Sequence, residues 1–125
     1  MSINLSAIAE KGEDILREFV VKNKLEGALI ASAEGLELVS YFTSGLDKDL
    51  LAADFASILA GVNGLLSDSG KGELSEVIVK GENGYLAIVS LGENVVLGVI
   101  APSDQKLGLL IVAIQQLVKK LTSLE

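Results

Sequence analysis

The sequence predicts an α+β fold in which a five-stranded antiparallel sheet carries helices on both faces. Short apolar runs separated by Gly-containing turns read as hairpins, and three longer stretches place apolar residues at helical spacing. In the fourth and fifth strands Tyr85, Ala87, Val89 and Leu91 alternate with Leu86 and Ile88, while Val96 and Ile100 alternate with Val95, Leu97 and Val99. Strands that are apolar on both sides belong at a sheet centre covered from above and below.

The first segment places Leu5, Ile8, Ile15, Phe19 and Val20 on one face, with Glu13 and Arg17, and Glu18 and Lys22, as opposite charges four residues apart. That is an amphipathic helix ending near Lys22. Gly12 weakens it by about 1 kcal/mol relative to Ala, which predicts a bend or a late start. Residues 27–33 and 36–42 then form a hairpin across Glu34-Gly35, a two-residue loop with Gly where positive φ is needed. Ser44 or Asp47 caps a second helix from about Lys48 to Ser67. Its large residues Leu51, Phe55, Ile58, Val62 and Leu65 are assigned to the core, and Gly70 and Gly72 stop it.

Three strands follow over residues 74–80, 85–91 and 95–101, joined by Gly81-Glu-Asn-Gly84 and Gly92-Glu-Asn94, turn residues that specify antiparallel neighbours. Pro102 ends the last strand, Ser103 or Asp104 caps, and Leu107, Leu110, Ile111, Ile114, Leu117, Val118 and Leu121 form the stripe of a closing helix. Five strands span about 24 Å and a helix covers about 10 Å, so three helices cover one face well and the other only partly. A partner would complete the cover. The second helix also carries a row of small residues four apart, Ala52, Ala56, Ala60 and Gly64, which reads as a seam where another helix comes close. The alternative is that this row packs on the protein's own sheet.

At 125 residues the chain has the size of one domain, which buries roughly 68% of its unfolded surface. Residues 1–125 are taken as a single unit without repeats or linkers. With no His, Cys or Trp, histidine bases, thiolates, zinc and iron–sulfur ligation and disulfides are excluded. Ten Lys and Arg against 17 Asp and Glu give a net charge of −7, which argues against nucleic acid as a partner. The five aromatics are too scattered for a base-stacking platform. The opening residues lack a secretory pattern, predicting a cytoplasmic protein, and the longest unbroken apolar stretch, residues 109–114, is too short to span a membrane.

Candidate catalytic features read as structure instead. Ser69-Gly70-Lys71-Gly72 lacks the first Gly and the hydroxyl residue of a phosphate loop, and runs from helix to strand. Asp47, Asp49 and Asp54 miss the calcium-loop spacing and suit the start of a helix. Glu10, Asp14 and Glu18 form a solvated helix face, and a serine nucleophile would have only lysine as its base. No enzyme signature, cofactor site or metal site emerges.

Residues 25–35 (LEGALIASAEG), 72–86 (GELSEVIVKGENGYL) and 95–109 (VVLGVIAPSDQKLGL), in this element order, resemble the Roadblock family, the dynein light chain roadblock group with its prokaryotic relatives. Among stand-alone bacterial forms, the chain looks like the mutual gliding-motility protein B type. The resemblance implies a profilin-like sandwich and a homodimer, or a heterodimer with a paralogue, in which middle helices pack antiparallel and third strands pair. The seam then comprises Ala52, Ala56, Leu59, Ala60, Asn63 and Gly64 of the middle helix with Val77 and Val79 of the third strand. It further implies a non-catalytic regulator that binds or activates a small Ras-like GTPase, or alternatively a scaffold subunit of a motor or signalling assembly that leaves hydrolysis unchanged. Outward positions Asp49, Ala53 and Ser57 are the expected partner-binding surface. Arg17, the one arginine, is read as a surface ion-pair residue rather than a finger that enters the partner's site.

Overall fold

The structure is a computed structural model that describes residues 3–92 and 94–125, so Met1, Ser2 and Glu93, the last expected in a turn from the sequence, lie outside the described residues. The elements are α1 (Leu5–Lys22), β1 (Gly27–Ser32), β2 (Glu37–Phe42), α2 (Lys48–Asp68), β3 (Val77–Gly81), β4 (Gly84–Ser90), β5 (Val95–Pro102) and α3 (Leu107–Thr122). The five strands form one antiparallel sheet in the order β2-β1-β5-β4-β3. The class and the order of elements are those expected from the sequence.

Two apolar clusters lie on opposite faces of the sheet. On one face α1 and α3 bury Ile8, Leu16, Phe19, Val20, Leu110, Ile114, Leu117 and Leu121 against Ala28, Ile30, Val89, Leu97 and Val99. On the other, α2 alone packs Ala52, Phe55 and Leu59 against Leu29, Ala31, Ile88 and Val96. The doubly apolar β5 is the central strand, which its alternation predicts. Its neighbour β1 is buried just as deeply.

Local chemistry explains most boundaries. Asn4 caps α1 by accepting from the Ala7 N–H at 3.1 Å. The helix starts at Leu5 and runs unbroken through Gly12, so the expected late start does not occur. Gly12 is there for contact: a Cβ at this position would lie 2.9 Å from Cγ1 of Val39, so only glycine lets α1 lie this close to β2. The turn between β1 and β2 is longer than the two residues expected, spanning residues 33–36 with Gly35 at φ 90°. The pairing register shifts between Ile30 and Ala31. Strand β3 starts at Val77 rather than Leu74, and α3 starts at Leu107 after Lys106, which makes no side-chain cap; Ser103 and Asp104 lie in the preceding turn.

Of the two expected caps for α2, Asp47 is used: its carboxylate accepts from the N–H groups of Asp49 and Leu50, both at 3.1 Å. Asp47→Ala is expected to cost about 1 kcal/mol, seen as a fall in Tm of roughly 4 °C by calorimetry. At 21 residues α2 is also long and apolar enough, by length and composition, to cross a bilayer. Asp49, Asp54, Ser57 and Asn63 interrupt its apolar run, so no unbroken apolar stretch marks it in the sequence. Here it lies across the sheet, with one face buried and another facing solvent.

Candidate interface on the second helix

Each residue of a helix turns 100°, so a row spaced four apart drifts by about 40° per step. The small-residue row therefore cannot keep to one environment. It begins in the core, with Ala52 at 0% and Ala56 at 6% exposure, and ends in solvent at Ala60 and Gly64. The row of large residues meets its expected place in the core only in part. Only Phe55 is buried; Leu51 and Val62 are half-buried, and Ile58 and Leu65 are 46% and 68% exposed. Ala52 and Ala56 have thus exchanged places with Ile58 and Leu65 between core and solvent.

Packing against β5 explains the exchange. The Phe55 ring sits over Gly98, where a Cβ would lie 2.5 Å from the ring carbon Cε2. One aromatic ring fills the space above the central strand. The helix positions on either side of it must then be small for α2 to stay close, which brings Ala52 and Ala56 onto the sheet. Leu59 is buried there too, at 5% exposure. The seam assignment is corrected accordingly: the side chains of Ala52, Ala56 and Leu59 belong to this chain's own core, whereas Ala60, Asn63 and Gly64 face solvent.

Beside this helix lies an open sheet edge. Strand β3 pairs with β4 alone, with Val77 opposite Ile88 and Val79 opposite Leu86. Directly opposed residues share a sheet face, so Val77 and Val79 stand on the α2 side. Val77 is half-buried and Val79 is 40% exposed. An apolar helix flank and an unpaired strand therefore occur on one side of the molecule, a surface that monomeric proteins normally protect.

Asp49, Ala53 and Ser57 are all exposed, spaced four apart on the opposite flank of α2 from Ile58 and Leu65. The Ser57 hydroxyl donates to the Ala53 carbonyl at 3.0 Å, and the β1–β2 turn passes close by, since a Cβ on Gly35 would lie 3.1 Å from the Ala53 Cα. Sequence reasoning missed the exposed leucines at the same end, Leu36, Leu46 and Leu50. Leu50 falls outside both of the rows traced along α2, which hid it.

The remaining polar residues form no enclosed constellation. Among the described residues no polar or charged side chain is buried, and no group of three acidic residues stands close enough to hold a metal ion. Arg17 pairs with Asp14, three residues before it, rather than with Glu13. Gly70 and Gly72, at φ 70° and 86°, end the helix on either side of an exposed Lys71. A Ser-x-x-Lys spacing occurs at Ser103 and Lys106. Both residues are exposed in the turn before α3, with no hydrogen bond between them and nothing to desolvate the lysine.

Residues 11–101 of the sequence match the Roadblock/LC7 domain. The chain belongs to the Roadblock/LC7 family. This Roadblock domain superimposes on MglB of Myxococcus xanthus with a TM-score of 0.84 at 23% identity, over 90% of this chain and 92% of that one. An MglB solved in a tetrameric arrangement gives a TM-score of 0.83 at 21% identity, over 91% and 87% of the two chains. Profilin IB of Acanthamoeba castellanii gives 0.64 at 11% identity, over 88% and 95%. At these identities the likeness is one of fold, and it places this Roadblock domain in the profilin-like architecture.

Proposed function

We propose that this chain is a dimeric, non-catalytic regulator of a small Ras-like GTPase in the cytoplasm. The observation that carries the reading is the exposed apolar flank of α2 beside the open β3 edge. A second copy related by a two-fold axis would pack its own α2 against Ile58, Val62 and Leu65 and extend the sheet through Val77 and Val79. Self-association is also supported by the tetrameric arrangement of the similar MglB structure. Family membership supports a regulatory rather than a catalytic role. Asp49, Ala53 and Ser57, small or polar and free of buried charge, remain the proposed GTPase contacts, on the flank of α2 away from the proposed seam.

Arg17 lies on α1, half exposed and engaged with Asp14, so stimulation of hydrolysis would act by reshaping the GTPase's own site. The reading is tested by following phosphate release from Ras-like GTPases of the same organism with and without the purified dimer. Arg17→Ala is expected to leave any stimulation nearly intact, because a catalytic arginine finger is worth 10³-fold or more and an exposed ion pair little. Binding without any change in hydrolysis would identify the chain as a scaffold subunit instead.

A further inference from the structure

On the sheet face opposite α2, the segment leading into β3 stands apart from α3 and leaves a half-open groove of about 310 Å³. Val89 of β4 and Ile114 and Val118 of α3 line it with aliphatic surface, and Glu76 and Gln115 stand among its polar residues. Glu76 is half-buried, and its Oε2 accepts from the Ser75 hydroxyl at 2.6 Å. Among the described residues the one salt bridge is that of Arg17 with Asp14, so no cation of this chain answers the Glu76 carboxylate. The Glu76 carboxylate thus stands beside the aliphatic lining of the groove without a counter-charge from this chain, and a cation entering from outside would supply it.

We propose that this groove is a docking site for a basic amphipathic segment of a partner protein. An aliphatic side chain of the segment would seat on Val89, Ile114 and Val118, and a neighbouring Lys or Arg would pair with Glu76. The open side leaves room for the backbone of such a segment, the arrangement by which an amphipathic helix lies in an apolar groove and is oriented by charge at its rim. The net charge of −7 adds a long-range bias toward basic partners. Because the groove and α2 lie on opposite faces of the sheet, the segment and a GTPase can bind at once, and the proposal does not rest on the regulator reading.

The test uses the full chain, with isoleucine and valine methyl groups labelled for NMR, and two synthetic 14-residue helical peptides. Both carry the same leucines; one has arginines where the other has glutamates. The arginine peptide is expected to shift the methyl signals of Val89, Ile114 and Val118 and to bind about tenfold more tightly than the glutamate peptide. Glu76→Lys, a change at a partly exposed position, is expected to abolish or invert that preference while leaving the spectrum folded. Absence of shifts at these methyl groups, equal affinity for the two peptides, or an unchanged preference in Glu76→Lys would each overturn the proposal.

Discussion

Ala52→Glu is expected to leave the chain unfolded, while Leu65→Glu yields a folded monomer. Both residues lie on α2, but Ala52 has no exposed surface and packs with Phe55 and Leu59 against the sheet, whereas Leu65 is 68% exposed. A glutamate at position 52 would have to bury a carboxylate without a partner and force a long side chain into a space sized for a methyl group. Burial of an unpaired charge costs several kcal/mol and overpacking adds 1–3, together about the whole stability of a domain this size. A glutamate at position 65 places its charge in water when the chain is alone and at the seam when a second copy docks. Far-UV circular dichroism and light scattering separate the two: loss of helix signal for Ala52→Glu, and retained helix with halved mass for Leu65→Glu. A Leu65→Glu protein that keeps its dimer mass would remove this flank from the interface.

Gly98→Val is expected to destabilise the protein by about 3 kcal/mol or more, lowering Tm by more than 10 °C, because the new side chain takes the place of the Phe55 ring. A Cβ alone would lie 2.5, 2.6 and 2.7 Å from three carbons of that ring. Position 98 is on the central strand and paired on both sides, with Leu29 and Ile88 as its partners, so the backbone cannot retreat. The ring must leave its place, and α2 must lift from the sheet with it. The double variant Gly98→Val, Phe55→Ala should recover part of the loss, since it removes the clashing ring while leaving a smaller void. Urea titration of the single and double variants checks this; strictly additive losses would mean that the glycine is not needed to seat the ring.

How much of the site was legible in the sequence differs from residue to residue. The open strand carrying Val77 and Val79 follows from element order together with the family resemblance, and an incompletely covered sheet face follows from counting helices against strands. Which flank of α2 is exposed could not be read. Rows of large and of small residues occur on the same helix, and size alone assigns the large ones to the core. What decided otherwise was Gly98, thirty residues downstream of the end of α2, whose missing side chain admits Phe55 and draws the alanines down with it. The same holds for Gly12: read locally it weakens a helix, yet its reason is Val39 on a strand that arrives later in the chain.

The eight elements, their order, the antiparallel sheet and the two-sided burial of its centre can all be read along the chain, because they depend on periodicity, turn chemistry and caps within a few residues of one another. The absence of histidine and cysteine chemistry and the net acidity can be read there too, as matters of composition. The rotation of α2 about its axis, the close crossing of α1 over β2 and the groove between α3 and the approach to β3 emerge only once the elements are packed together. Each of these is a contact between side chains distant in sequence, where the fit of volumes at the crossing outweighs any local preference.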